Sequence, residues 1–320
     1  MTTPLPVGPL TPYVTPELLT QAPTGVSWST IPSGSNVTDQ QRTAELANIC
    51  ARATAKVDEC CRQPLRATVD TLTLPGPGPR VYVPRDSPAG PCKLILKRWP
   101  VLEVLGIQVC PNTFPRSGWA TIPVGMFEPA EPVSGMYGSV APASAGEGGQ
   151  GVRLAPGYVD WYRGKAGYLL EVQYVNGWPH TGLTAGAGEG ATELQVDDCT
   201  GWAVTSAASG YTGATGTVYD AAAQEVIHVQ SASAIAGPGT LTLAAPLQYS
   251  HSPGVMVSTL PQTVSWAAIL FACSIAMTRG ATATTVREIP GRATSTGGAK
   301  TPADFAQKAA HVLGNFARII

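Results

Sequence analysis

Charged side chains are scarce in this chain of 320 residues. They make up 13% of the sequence, and 20 basic residues against 21 acidic ones leave a formal net charge of -1. Because such a balance creates no global field, it argues against a general nucleic-acid binder and against attraction to an anionic membrane. Aromatic residues are also few, at 7%, whereas 44% of the residues are hydrophobic and can supply a core. We therefore expect two or three modest folded domains.

The chain also lacks long hydrophobic runs. Its first ten residues contain no basic segment followed by an apolar run, so no secretory signal is expected. The longest apolar helix candidate, residues 266–277, is too short to span a bilayer. We expect a protein without a membrane partner that resides in the cytoplasm while it is made.

Sequence signatures of catalysis and of metal binding are missing as well. The chain has no Gly-x-Ser-x-Gly elbow, no P-loop and no His-Glu-x-x-His motif. Its seven cysteines form no Cys-x-x-Cys pair, and their odd number argues against a disulfide framework. We expect Cys50 and Cys60 to pack as small hydrophobes on one helix face. The four histidines stand in unrelated sequence contexts: His180, His228, His251 and His311. We therefore predict no catalytic, metal or cofactor site.

Two pairs of acidic residues could nevertheless flank a glycosidic bond, namely Asp197 with Asp198 and Asp160 with Glu171. Aspartates beside turns usually cap the local backbone, and we interpret these residues in that way. Several tryptophans beside turns could form a sugar-binding platform, although such residues more often anchor loops or fill interfaces: Trp28, Trp119, Trp161, Trp178 and Trp202.

The pattern of helix and strand signals predicts an α+β fold. Residues 1–37 form a proline-rich arm with one short helix at Thr15-Pro16, and a capping box at Thr38 starts a long helix that ends at Arg62-Gln63-Pro64. Residues 38–182 then form the first part of the core. Its predicted strands are 65–74, 92–96, 101–109 and 168–175, and a long loop is expected over 111–151.

The amino-acid composition changes in the second half of the chain. Residues 183–260 are rich in Thr, Val, Ala and Gly and predict a small all-β module, with strands at 193–196, 226–229, 240–243 and 255–257. A central core helix is expected within 261–279, a flexible linker over 280–300 and a C-terminal docking helix over 301–320. The last helix carries an apolar stripe that either docks on a partner or folds back on the central helix: Phe305, Ala309, Val312, Phe316 and Ile319.

The order of these segments resembles the head-to-tail adaptor (head-tail connector) proteins of long-tailed double-stranded DNA bacteriophages. Segment 22–31 is similar to forms found in phages of actinobacteria. The helix over 44–61, the helix after Pro261 and the ending from Arg287 to Arg318 also look like that family. Three further segments carry the resemblance: Tyr13-Val14-Thr15-Pro16-Glu17-Leu18, Arg98-Trp99-Pro100-Val101-Leu102-Glu103-Val104 and Leu170-Glu171-Val172-Gln173-Tyr174-Val175-Asn176-Gly177-Trp178-Pro179.

The resemblance implies a helical adaptor core with β extensions. The all-β module of 183–260 departs from the minimal family pattern, and we interpret it as an insert in that core. It implies a virion protein without enzymatic activity or cofactor, assembled in the host cytoplasm into a ring of twelve copies below the portal. Such a ring extends the DNA channel, where non-specific contact with DNA is possible, and offers a platform for a stopper or other tail-completion protein. Contacts with the portal or a neighbouring subunit are expected from these residues: Arg279, Arg287, Arg292, Lys300, Phe305, Val312, Phe316, Arg318 and Ile319.

An alternative function also follows from the sequence. The all-β module and the tryptophans beside turns, of which Trp202 lies in the module, are compatible with a carbohydrate-binding component of a tail or baseplate. Glycan binding would distinguish this alternative from an assembly protein.

Overall fold

The computed structural model describes residues 11–32, 37–76, 81–82, 92–111, 118–123, 127–129, 151–154, 168–203, 214–221, 223–279 and 301–316. Within these residues the fold is α+β. The helices are α1 (Pro16–Gln21), α2 (Asp39–Cys61), α3 (Gln262–Thr278) and α4 (Pro302–Val312). The strands are β1 (Thr68–Gly76), β2 (Val81–Tyr82), β3 (Cys92–Ile95), β4 (Val101–Pro111), β5 (Ala120–Ile122), β6 (Phe127–Pro129), β7 (Gly151–Leu154), β8 (Tyr168–Asn176), β9 (His180–Gly182), β10 (Glu193–Val196), β11 (Thr215–Tyr219), β12 (Glu225–Ala232), β13 (Gly239–Leu243) and β14 (Met256–Ser258).

The chain divides into two compact units, one helical and one built of β-sheets. The helical unit combines Pro9–Pro64 with Leu260–Ile320 and a short piece, Tyr219–Gln224. The β unit contains Leu65–Val218 and Glu225–Thr259. All four helices belong to the first unit, and the three sheets described below belong to the second.

Side-chain caps mark where α1 and α2 begin. Thr15 accepts a hydrogen bond from the backbone N–H of Leu18, and Pro16 occupies the first position of α1. Thr38 forms a complete capping box with Gln41 at the start of α2. These two predicted helix starts are confirmed. α2 ends where Arg62 adopts a left-handed conformation with φ of 56°, before Pro64.

The helical core is centred on α3, against which both α2 and α4 pack. α3 is buried on most faces, as its nearly uniform apolar sequence predicts. The proline-rich arm contributes Tyr13, whose backbone N–H donates to the Thr54 hydroxyl over 2.9 Å. The Tyr13 hydroxyl donates to a carboxylate oxygen of Asp58 over 2.6 Å. These bonds anchor the arm on α2 at Tyr13, whereas residues 1–10 lie outside the described part.

The main sheet of the β unit has the order β1-β8-β4-β5, and its paired strands are antiparallel. β8 lies in the middle, and even its ends are buried on both faces, as Leu169 and Val175 show. A second sheet has the order β2-β3-β7-β6. The prediction of one long loop over 111–151 is wrong in part, because β5 and β6 lie within it and β7 begins at its end. Both strands have three residues, too few for a periodic pattern.

The third sheet has six strands in the order β10-β13-β12-β11-β14-β9. The chain beyond β9 closes it into a barrel, since Thr184 donates to the carbonyl of Gln195 and Asp197 donates to that of Gly182. A separate hydrophobic core fills the barrel, with Trp202 at 0% exposure among its members. The first strand, β9, precedes residue 183, where the all-β module was expected to start.

Candidate interaction surface

The apolar stripe of the C-terminal helix is turned toward its own chain. Phe305 and Ala309 are buried where α4 packs against α3, Phe316 is buried in the short 3₁₀ turn that follows, and Val312 is half-buried. Of the two interpretations left open by the sequence, folding back on the central helix is therefore the one adopted by this chain. α4 is shorter than the predicted 301–320 helix, since it ends at Val312, just before Gly314.

Leu313 is a buried residue that the predicted stripe omitted. It is the C-cap of α4 and is 0% exposed. Its N–H donates to the carbonyl of Ala309 over 3.1 Å, which is an ordinary helical bond, and the 3₁₀ turn at Gly314–Phe316 follows directly. The sequence signal was present, because Leu313 follows Ala309 by four residues and so lies on the same helix face.

Arg279 is engaged within the helical unit. It caps the C-terminus of α3, and its guanidinium forms an ion pair with Glu45 of α2. A cation at a helix C-terminus also interacts favourably with the helix dipole. Five other predicted contact residues lie outside the described residues: Arg287, Arg292, Lys300, Arg318 and Ile319.

The outer face of α4 is polar. Asp304, Gln307, Lys308 and His311 are exposed along it. Asp304 is occupied by the capping box, in which its carboxylate accepts from the backbone N–H of Thr301 over 2.8 Å. This bond lowers the pKa of the Asp304 carboxyl. Lys308 and His311 are therefore the basic side chains that this face of α4 offers to a partner.

A second constellation joins two segments that are far apart in the sequence. One Arg98 nitrogen lies 2.9 Å from both carboxylate oxygens of Asp70, and the Asn176 amide donates to the same carboxylate over 2.6 Å. The N–H of Gly177 donates to the carbonyl of Pro100 over 2.8 Å. The turn before β4 and the turn after β8 thus form one connected cluster, which we call the double-turn cluster and which includes Trp99 and Trp178.

The paired aspartates cap backbone and side-chain groups of the barrel. Asp197 accepts from the Thr181 hydroxyl over 2.6 Å and from the N–H of Gly182 over 2.9 Å. Asp198 accepts from the N–H and hydroxyl of Thr200 and from the N–H of Gly237 over 3.1 Å. The interpretation as a local turn cap is confirmed for Asp198, whereas Asp197 binds the distant strand β9 instead. Of the other pair, Glu171 lies half-buried on β8, and Asp160 lies outside the described residues.

The histidines lie in separate environments. His180 is 2.8 Å from the Ser258 hydroxyl, His228 is 2.8 Å from the Thr215 hydroxyl, and His251 is 2.7 Å from Glu225. His311 is exposed on α4. Within the described ranges, no group of three His, Cys, Asp or Glu residues is placed to hold a metal ion.

The tryptophans serve mainly as core residues. Trp28 and Trp178 are each 7% exposed, and Trp202 is fully buried in the barrel. Their burial agrees with anchoring of loops and leaves their rings little surface for a sugar. Trp119 is half-buried, and Trp161 lies outside the described residues.

Two of the three cysteines of α2 are buried thiols, and the prediction for the third, Cys60, needs correction. Cys50 and Cys61 are fully buried, and burial is the main cause that raises the pKa of each to about 12. Cys60, which was predicted on the apolar face, is only half-buried. Cys61 takes the inward position because it continues the spacing of four residues from Val57.

Comparisons of the chain with protein-family models, curated proteins and solved structures gave no match. Among the helices in the described ranges, none is both long enough and apolar enough to cross a membrane.

Proposed function

We propose that this chain is a head-to-tail adaptor of a long-tailed double-stranded DNA bacteriophage, with an actinobacterial host. In this proposal it is a structural protein of the virion neck, without enzymatic activity, and it is assembled in the host cytoplasm. A ring of twelve copies lies below the portal, extends the DNA channel and presents the platform for a stopper or tail protein. The helical unit with the main sheet is the adaptor core, and the barrel is an inserted domain.

The double-turn cluster is the observation that carries this proposal. The resemblance rests on several short segments, of which 98–104 and 170–179 are separated by a long stretch of sequence. These two segments meet through the hydrogen bond from Gly177 to Pro100 and through the rings of Trp99 and Trp178. Unrelated chance matches have no reason to meet in space, so this contact supports the interpretation of both as parts of one motif.

The helix order supports the same proposal. The segments 13–18 and 44–61 contribute α1 and α2, and the helix after Pro261 is α3. In a ring, the exposed Arg52 of α2 is available to a neighbouring subunit, whereas Lys56 already pairs with Glu59 over 2.6 Å. The candidate contact residues of the helical unit therefore divide into those that position helices, such as Phe305, and exposed ones that reach outward, such as Lys308.

On this division, Phe305 and Phe316 act indirectly, because they fix α4 on α3 inside the same chain. The direct contact of the described C-terminal region is then made by the exposed Lys308 and His311. Val312 is half-buried, so its exposure is intermediate between that of the buried phenylalanines and that of the two exposed residues. Arg279 acts through its ion pair with Glu45, which holds the end of α3 against α2. The remaining proposed contact residues follow this end in the sequence.

The proposal is tested by mixing the purified full-length chain with purified portal rings of the same virus. Electron microscopy is expected to show an added ring below the portal. A double variant, Lys308→Glu with His311→Glu, should reduce co-sedimentation with the portal without lowering the thermal midpoint. Gln307→Glu alone is the matched control on the same helix face. A chain that stays monomeric and never decorates the portal would refute the proposal, and glycan binding would instead favour the carbohydrate-binding alternative.

A further inference from the structure

A buried carboxylate lies at one end of the barrel. Glu225 begins β12, and its side chain is 7% exposed. One carboxylate oxygen lies 2.7 Å from the Nε2 atom of His251, whose side chain is 0% exposed. The carboxylate also accepts from the N–H of Gln248 over 2.8 Å and from that of Tyr249 over 3.3 Å. Three donors from one short stretch of chain therefore converge on Glu225.

That stretch, residues 245–251, connects β13 toward β14, and we call it the strap. The strap is fastened to a second segment by backbone hydrogen bonds, reciprocal between His251 and Ala187 and from Leu247 to Ala191. Leu247 is 3% exposed and belongs to the hydrophobic core of the barrel. Tyr249, by contrast, is 47% exposed. The strap thus covers the core with one side chain and presents an aromatic ring at the surface.

The charge on Glu225 is essential for this arrangement. An ionised carboxylate only accepts hydrogen bonds, and here it meets three donors. Once protonated, it loses its charge and turns one oxygen into a donor, so at least one of the three bonds is weakened or lost. His251 is the buried partner, whereas Gln248 and Tyr249 are exposed, so the cost of a donor left without an acceptor arises mainly at His251.

We propose that Glu225 and the strap form an acid-released latch. The strap is closed while the Glu225 carboxylate is ionised, and protonation of that carboxylate releases it. Release uncovers Leu247 and the adjoining barrel core and frees the segment that displays Tyr249. The strands of the barrel keep their pairing, since it is made by backbone groups and does not involve the Glu225 side chain.

The groups around Glu225 determine whether the pKa of its carboxyl lies above or below the ordinary value. Burial by itself raises the pKa of the Glu225 carboxyl, but the hydrogen bonds from Gln248, His251 and Tyr249 outweigh it and leave the pKa below its ordinary value. The latch is therefore fully effective above the ordinary pKa of a glutamate, about 4.3. The latch is lost as the pH falls through the pKa of the Glu225 carboxyl in the folded protein, which lies below the ordinary value.

Few other ionisable groups face this carboxylate from the elements around it. His251 contacts it from the strap, which also carries the exposed Tyr249. Glu189, on the segment that pairs with the strap, has an exposed side chain and uses its backbone N–H to bond Ser250. The paired residues of β11, from Thr215 to Val218, include no ionisable side chain.

Hydrogen exchange of the full-length chain, read by mass spectrometry from neutral pH to below pH 4 and corrected for intrinsic rates, tests the latch. In the wild type, amides of the strap should lose protection at a higher pH than those of β11, β12 and β13. Glu225→Gln should reduce strap protection about tenfold to a hundredfold at neutral pH, the range expected for loss of hydrogen bonds to a charged group. Glu189→Gln, a nearby exposed glutamate, should leave it unchanged.

Two results would overturn the proposal. One is a strap that keeps wild-type protection at neutral pH in Glu225→Gln. The other is simultaneous loss of protection in the strap and the strands as the wild type is acidified. If Glu225→Gln unfolds the whole barrel, the wild-type acid series decides by itself, since it asks only which segment opens first.

Discussion

The ring of Trp99 meets the ring of Trp178 edge to face, with centroids 5.6 Å apart and planes inclined by 70°. Trp99 belongs to the turn before β4, and Trp178 follows the end of β8. Edge-to-face aromatic pairs contribute about 0.5–1.5 kcal/mol beyond the apolar area that they bury. This contact fastens the two turns of the double-turn cluster to each other.

A double-mutant cycle on this pair is the first prediction. Trp178→Ala should lower the free energy of unfolding by about 3–5 kcal/mol, because the buried ring leaves a cavity. Trp99→Ala should cost less, since Trp99 is only half-buried. The coupling energy between the two changes should be about 0.5–1.5 kcal/mol in denaturant unfolding. Trp119→Ala, combined with Trp178→Ala, is the control pair, and equal coupling in both cycles would show that the ring contact is not specific.

The acid at the centre of the double-turn cluster gives a second prediction. Asp70→Ala removes the acceptor of Arg98 and of the Asn176 amide. Both side chains of the Asp70–Arg98 pair are partly exposed, at 23% and 33%. Water therefore compensates some of the loss, and we expect a cost of about 1–2 kcal/mol in the free energy of unfolding. Glu171→Ala on β8 should change it by less than about 0.5 kcal/mol. Equal effects of the two variants would contradict a central role for Asp70.

The packing of α4 within its own chain gives a third prediction. Phe305→Ala should lower the free energy of unfolding by about 3–5 kcal/mol, and Leu313→Ala by about 2–5 kcal/mol, because both side chains are buried. Lys308→Ala, on the exposed face, should change it by less than about 0.5 kcal/mol.

Protein concentration separates packing within one chain from exchange of α4 between chains. A helix packed in cis gives a thermal midpoint that does not depend on concentration, whereas a swapped helix gives one that rises with it. We expect no dependence for the purified chain in the absence of portal. A clear rise would contradict the arrangement of α3 and α4.

The parts of the fold that local sequence determines were predictable. Thr38 and Gln41 form a capping box by their spacing alone, and Thr301 with Asp304 forms a second one. The strand at 193–196 was also predicted with its observed bounds. In each case the residues that specify the element are neighbours in the chain, so no tertiary contact was needed to recognise it.

The parts that depend on distant partners were not predictable. β11 has a Thr- and Gly-rich sequence of five residues and is a strand because β12 pairs with it. Closure of the barrel depends on the hydrogen bond from the N–H of Thr184 to the carbonyl of Gln195. The buried pair of Glu225 and His251 joins the start of β12 to the strap. Nothing in the local sequence marks Glu225 as different from the exposed Glu193.

The capping aspartates of the barrel give a fourth prediction. Asp198→Ala leaves the N–H groups of Thr200 and Gly237 without their acceptor, so we expect a cost of about 1–3 kcal/mol in the free energy of unfolding. Asp198→Asn keeps an amide oxygen at the same place and should cost less. A cost in Asn as large as in Ala would show that the charge, and not the acceptor, stabilises this turn.

The fifth prediction concerns Gly177, in the turn after β8 of the double-turn cluster. Its φ of +93° is a conformation that side chains rarely adopt, and an added Cβ would collide with the carbonyl of Arg66. Because that carbonyl is backbone, it cannot swing aside as a flexible side chain can. Gly177→Ala should therefore lower the free energy of unfolding by more than the roughly 1–2 kcal/mol that a left-handed conformation alone costs. Gly188→Ala is the matched control, since its φ is not in that region and an added Cβ would meet no atom within 4 Å. Thermal unfolding of both variants beside the wild type measures the difference, and a Gly177→Ala protein as stable as Gly188→Ala would contradict the close approach of Gly177 to the Arg66 carbonyl.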